Sequence, residues 1–87
     1  MIVELAEPGS AYIRYRTGER PAGVTVEVGG EGSEVLADLN DSGAVIGIEI
    51  VDVNISESVE RARAFAHEHG LSFPRDIVAA AQSAAAA

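Results

Sequence analysis

Residues 34–51, EVLADLNDSGAVIGIEIV, decide the fold. Asn40-Asp41-Ser42-Gly43 is a turn cluster between two runs of alternating, β-branched residues, which is the pattern of a β-hairpin. The inward set on the second strand, residues 44–51, is expected to be Ile46, Ile48 and Ile50. On the first strand, residues 34–39, the apolar parity is Val35, Ala37 and Leu39. A three-residue loop would set these parities against each other. A four-residue loop pairs Leu39 with Ala44, Ala37 with Ile46 and Val35 with Ile48, with Gly43 at positive φ. Leu36 then stands opposite Gly47, and Glu34 opposite Glu49.

Working outward towards the amino terminus, Val24, Val26 and Val28 alternate with Thr25 and Glu27, a half-buried strand. Gly29-Gly30-Glu31-Gly32 links it to the hairpin. Residues 2–5 and 11–16 read as two further strands joined by a Glu7-Pro8-Gly9-Ser10 turn. Tyr12, Arg14 and Arg16 lie on one face of the second strand, and Ile13 and Tyr15 on the other. A polar loop spans residues 17–23.

Beyond Asn54 the texture changes to alanine-rich helical periodicity. The first helix starts near Ser56 or Ser58, with Asn54 and Glu57 spaced as a capping box. Its apolar stripe is Ile55, Val59, Ala62 and Ala66, flanked by Phe65, and Glu57 pairs with Arg61. Gly70 ends it. Pro74 opens a second helix over residues 75–83, and the last alanines fray. The expected fold is therefore a single α+β domain over residues 1–87. A small antiparallel sheet of four to five strands, meander-like (1–54), precedes one or two C-terminal helices (55–87).

The strands carry a resemblance. Tyr12-Ile13-Arg14, a turn with Asp41 and Gly43, and Val45-Ile46-Gly47-Ile48-Glu49-Ile50 resemble domain-of-unknown-function family 2283, a set of short prokaryotic proteins. The likeness covers about residues 2–53. This chain departs from the family where an Asp-Pro and a further acidic residue usually precede the Tyr strand; Glu7-Pro8-Gly9-Ser10 stands there instead. The resemblance implies the sheet and no activity, cofactor or site residue.

Composition narrows the functional classes. The 87 residues are 47% hydrophobic, enough for one modest core, and contain no cysteine, which excludes disulfides, thiolate metal sites and cysteine nucleophiles. Fourteen acidic residues oppose six arginines for a net charge of −8. Such a chain repels phosphate backbones, so nucleic acid is not an expected partner, whereas a basic protein is attracted. Met1-Ile2-Val3-Glu4-Leu5 lacks the marks of a secretory leader, and no apolar run approaches a bilayer span. A cytoplasmic address is expected, with no membrane partner.

Four motifs invite chemistry. Asp38, Asn40, Ser42, Gly43 and Glu49 fall at the spacing of an EF-hand calcium loop, but β-type flanks replace the helices that such a loop needs. Glu34, Asp38 and Glu49 share a face on which Tyr12, Arg14 and Arg16 also fall. That face suits acid–base work, a solvated surface or a subunit contact. His67 and His69, two apart on a helix, point in opposed directions and cannot chelate one ion; His69 suits the helix C-terminus. The Gly29–Gly32 loop lacks a lysine and precedes a strand, so a hairpin loop is the better reading than a phosphate cradle. No catalytic, cofactor or metal residue is therefore assigned.

The expected function is a non-enzymatic, homo-oligomeric interaction module, most simply a dimer. Leu36, Val45 and Val51 lie on the sheet's second face, and Phe73, Ile77 and Val78 lack a place in the monomer, so the helical tail could be exchanged between subunits. The alternatives are an antitoxin-like acidic partner of a small basic protein, or a small anion-binding protein or enzyme using Arg14, Arg16 and Glu49.

Overall fold

A computed structural model of the chain describes residues 1–5, 9–18 and 24–79. Strands β1 (Ile2–Glu4), β2 (Ala11–Arg14), β3 (Val24–Glu27), β4 (Val35–Leu39) and β5 (Val45–Ile50) precede helix α1 (Ser56–Glu68). They form one five-stranded sheet in the order β1-β2-β5-β4-β3, antiparallel throughout. The expected meander is interrupted once: the hairpin β1–β2 and the meander β3–β4–β5 meet where β5, and not β3, docks beside β2, because β5 carries the most continuous apolar run and takes the doubly paired central place. The Glu7-Pro8 part of the first turn, residues 19–23 of the polar loop and residues 80–83 of the expected second helix lie outside the described residues.

The expected facial parity of the last hairpin holds at Val35, Ala37, Ile48 and Ile50, while Val45 takes the place in the core cluster expected of Ile46 and the register differs by two residues. Ala37 pairs with Ile48 and Val35 with Ile50, so Asp38, and not Leu36, stands opposite Gly47. Two single-residue additions produce the shift. The connection runs over residues 40–44, closed by Asn40 N–H to the Ala44 carbonyl at 2.9 Å. A bulge between Asp38 and Leu39 then sets Leu39 against Val45 and leaves Ile46 as the extra residue on β5. One addition would have exchanged the faces; two restore them. The bulge also corrects the placement of Val45, which joins the core instead of the second face. Gly43 has φ +83°, as the turn requires.

One face of the sheet is the core. Ala11, Ile13, Val35, Ala37, Ile48 and Ile50 are buried there against Val53, Val59, Ala62 and Ala66. The alanines let α1 approach β4 and β5 closely. Burial along β3 fades from Val28 through half-buried Val26 to Val24, which is 48% exposed.

Both ends of the helix are informative. The N-cap is Ile55, in extended conformation and without a side-chain capping bond, so the Asn54–Glu57 box does not form. Ile55 is exposed, and Ser58 takes its expected place in the buried stripe. Arg61 lies over Gly29 instead of pairing along the helix as expected, and Glu60 pairs with Arg63 at 3.5 Å. At the C-terminus, Gly70 (φ +68°) sends its N–H to the His67 carbonyl, and Leu71 N–H reaches that of Ala66 at 2.8 Å. This is a Schellman ending.

That ending turns the tail back onto its own sheet. Tyr15 donates its hydroxyl to the Ser72 carbonyl at 2.7 Å, and Arg63 sits over the Phe73 ring. Ile77, on the helical turn 77–79, is 2% exposed within the core, with Phe73 and Val78 packed against it. The expectation that these residues lack a place in the monomer is therefore overturned. Burying Ile77 contributes roughly 1.5–3 kcal/mol, and the Schellman turn supplies the reversal that makes it available.

Candidate functional site: the open face of the sheet

The face opposite α1 carries the second set of strand residues. Register places Tyr12 beside Glu49, and sets Arg14 and Asp38 on either side of Gly47. Glycine leaves a gap in the middle of this face. The Tyr12 ring leans into it, so that a Cβ at position 47 would overlap the phenol. Across the gap the Tyr12 hydroxyl donates to Asp38 Oδ2 at 2.9 Å. Thr25 Oγ1 donates to the other carboxylate oxygen, Oδ1, at 2.7 Å. On the other flank Arg14 grips Glu4 through two bonds, Nε to Oε1 at 2.8 Å and Nη2 to Oε2 at 3.2 Å. Its guanidinium lies 5.0 Å from the Tyr12 ring centroid. Side chains from β1, β2, β4 and β3 thus form one connected row, and β5 contributes the glycine that lets it close.

The hydrogen-bonding groups are spent within the row. Partial burial, and secondarily the hydrogen bond to Asp38, push the Tyr12 phenol up to about 12. It therefore remains a neutral donor across the physiological range. The Arg14 hydrogen bond holds the Glu4 carboxyl below its ordinary value, and Arg14 is raised in turn. Both Asp38 oxygens already accept a hydroxyl. Chemically, the arrangement is a flat, preorganised polar surface whose donors and acceptors are aimed at each other.

Of the residues expected on this face, Tyr12, Arg14, Asp38 and Glu49 are brought together. Arg16 is not: β2 ends at Arg14, and Arg16 lines a cleft of about 380 Å³ with Tyr15, Val45, His69 and Leu71. Glu34 precedes β4, where its carbonyl receives Val51 N–H. The EF-hand spacing is dispersed by the hairpin. Glu49 stands opposite Leu36, and Asn40 Oδ1 accepts Ser42 N–H, Ser42 Oγ–H and Ala44 N–H at 2.9–3.0 Å. His69 is the C-cap residue, its ring 4.3 Å from that of Phe65. In the glycine loop, Gly32 N–H is taken by Glu27 Oε2 at 2.8 Å.

Sequence reasoning missed the Tyr12–Asp38 bridge. A glycine within a strand signals close approach of another group. The two-residue register error named Leu36 as that group and concealed Tyr12, which arrives diagonally from β2. No family model, curated protein or solved structure matches the chain.

Proposed function

We propose that the protein is a non-enzymatic interaction module that works as a homo-oligomer, most simply a two-fold dimer. The observation that carries this reading is the open face itself. It is held rigid by side-chain bonds across the sheet, and it is bounded by two edge strands, β1 and β3, whose outer sides pair with no described strand. Exposed Ile2 and Val24 mark those edges. Rigid, flat surfaces with unpaired strand edges associate at low ordering cost. Exchange of the tail is no longer part of the reading, because Ile77 fills its own core. Sedimentation equilibrium at micromolar concentration is expected to give the mass of a dimer; a monomer throughout that range refutes the proposal.

A second reading, an antitoxin-like acidic partner of a small basic protein, draws support from the net charge of −8. Anion binding by Arg14, Arg16 and Glu49 draws less, since Arg14 is clamped by Glu4 and Arg16 leaves the face. Kinship with family 2283 belongs to the same proposal. What supports it is that the Tyr12–Arg14 strand and the Gly47–Ile50 strand, which carry the resemblance, lie side by side. No described helix is long and apolar enough to cross a membrane; a cytoplasmic setting is proposed on that basis and on the acidic composition.

A further inference from the structure

We infer that the partner is a second copy of this chain and that the two join along β3, strand to strand, about a two-fold axis at Val26. This inference rests on the dimer reading above and adds the surface, the register and the residues.

Hydrogen-bond parity identifies the backbone groups of β3 that face away from the described sheet. Val28 N–H bonds to the Val35 carbonyl at 2.9 Å. In an antiparallel pair the bonding alternates, so Val28, Val26 and Val24 turn their backbone groups towards β4. Thr25 and Glu27 turn theirs to the open edge. The Glu27 carbonyl also receives Gly30 N–H within the turn at 3.3 Å, which leaves its second lone pair for the seam. An antiparallel β3 from a second copy can satisfy these groups in few registers. Centring on Glu27 sets that carboxylate against its own mate. Centring on Val26 uses residues 24–28, pairs Thr25 with the mate's Glu27 through two bonds, and brings no like charges face to face.

The side chains agree with this register. Val24 and Val26 share the helix-side face of β3, beside a cleft of about 300 Å³ between the strand and α1. Val26, Val28, Ala64 and Phe65 line it, with Arg61 and Glu68, two turns apart on the helix, at its margins. Under the two-fold, Val26 meets the mate's Val26 and Val24 meets the mate's Val28. The exposed valine end of each strand is thereby covered by the buried end of the other. An edge strand lying next to an apolar cleft is the arrangement by which added strands gain both backbone bonds and side-chain pockets. The seam over residues 24–28 buries less than the ~1,200 Å² of a standard stable interface, so the dimer forms reversibly and its share rises with concentration across the micromolar range.

The absence of cysteine from the chain permits a direct test. In the proposed register Val26 and its mate form a non-hydrogen-bonded pair with Cα atoms about 4.5 Å apart, within disulfide reach. Val24 and its own mate are four residues apart along the strands, about 14 Å, and beyond reach. Under a glutathione redox buffer at micromolar protein, Val26→Cys is expected to form a covalent dimer at least ~tenfold more efficiently than Val24→Cys. A second test pairs two variants: Thr25→Val loses only the hydroxyl bond to Asp38 and is expected to remain a dimer, whereas Thr25→Pro also loses an N–H that faces the open edge. Thr25→Pro is expected to keep the far-UV circular dichroism of the fold and to sediment as a monomer. Equal cross-linking of the two cysteine variants overturns the inference. So does a dimeric Thr25→Pro protein, or an uncross-linked Val26→Cys protein when the parent is a dimer; the dimer reading itself then stands with its interface elsewhere. A monomeric parent overturns both.

Discussion

Gly47→Ala should destabilise the fold by about 1–2 kcal/mol, and the cause should be Tyr12. A methyl at position 47 cannot coexist with the phenol that now occupies the space, so the ring must swing towards solvent. That movement breaks the bond to Asp38. A hydrogen bond to a charged acceptor contributes ~1.5–3 kcal/mol, with the lower end appropriate to this half-buried position. Uncovering about a quarter of the ~150–250 Å² that a tyrosine can bury adds about 1 kcal/mol. Against these stands a gain of ~0.5–1 kcal/mol from replacing glycine within a strand. The assay is urea unfolding followed by circular dichroism, reading the midpoint at constant slope, in the parent and in a Tyr12→Ala background. With the ring removed, Gly47→Ala should become neutral or stabilising by up to ~1 kcal/mol. A substitution that costs the same in both backgrounds refutes the account of the open face.

Two further expectations concern titration and the tail. Tyr12 and Tyr15 are each pushed up to about 12, chiefly by burial, against about 10 in the unfolded chain. Their raised values contribute stability that is complete below about pH 10 and is lost as pH rises towards 12. These are the two tyrosines of the chain, so ultraviolet absorbance at alkaline pH should show both ionising late; a midpoint near 10 while the protein remains folded contradicts the burial of both rings. Ile77→Ala, which empties a site 2% exposed, should cost about 2–5 kcal/mol in thermal or urea unfolding, whereas a loss under ~0.5 kcal/mol would detach the tail from the core.

The strands, their faces and the helix were legible because each is written in local periodicity. Alternation at Val24–Val28 and Val45–Ile50, and the small-residue stripe of Ala62 and Ala66, require no knowledge of what lies opposite. Register was not legible, because it depends on how many residues a turn and a bulge absorb. The Asn40–Ala44 connection is one residue longer than the expected four-residue loop and the extra Ile46 adds another, and the hydrophobic pattern tolerates any even total. The face of Val45 and the neighbour of Gly47 went wrong for that one reason. The tail was misjudged differently. Gly70 was recognised as a helix ending, but its Schellman geometry fixes a direction in space that residue spacing does not encode, and the direction determines whether Ile77 meets its own sheet. The open-face row was half legible. The parity of Tyr12, Arg14, Asp38 and Glu49 was available, whereas the pairing of Glu4 with Arg14 and of Thr25 with Asp38 needed the order of strands.

That order also governs how the chain comes into being. β5 is the last of the five described strands to be synthesised and yet lies at the centre, joining β1–β2 on one side to β4–β3 on the other. Until Val45–Ile50 leave the ribosome, the earlier strands are two separate hairpin-sized pieces, neither with a buried face. Pieces of that size are marginal in water. The nascent protein therefore has no stable partial fold to accumulate along the way: the sheet closes in one late event, when a single strand supplies both missing neighbours at once. The helix that covers it follows within a few residues.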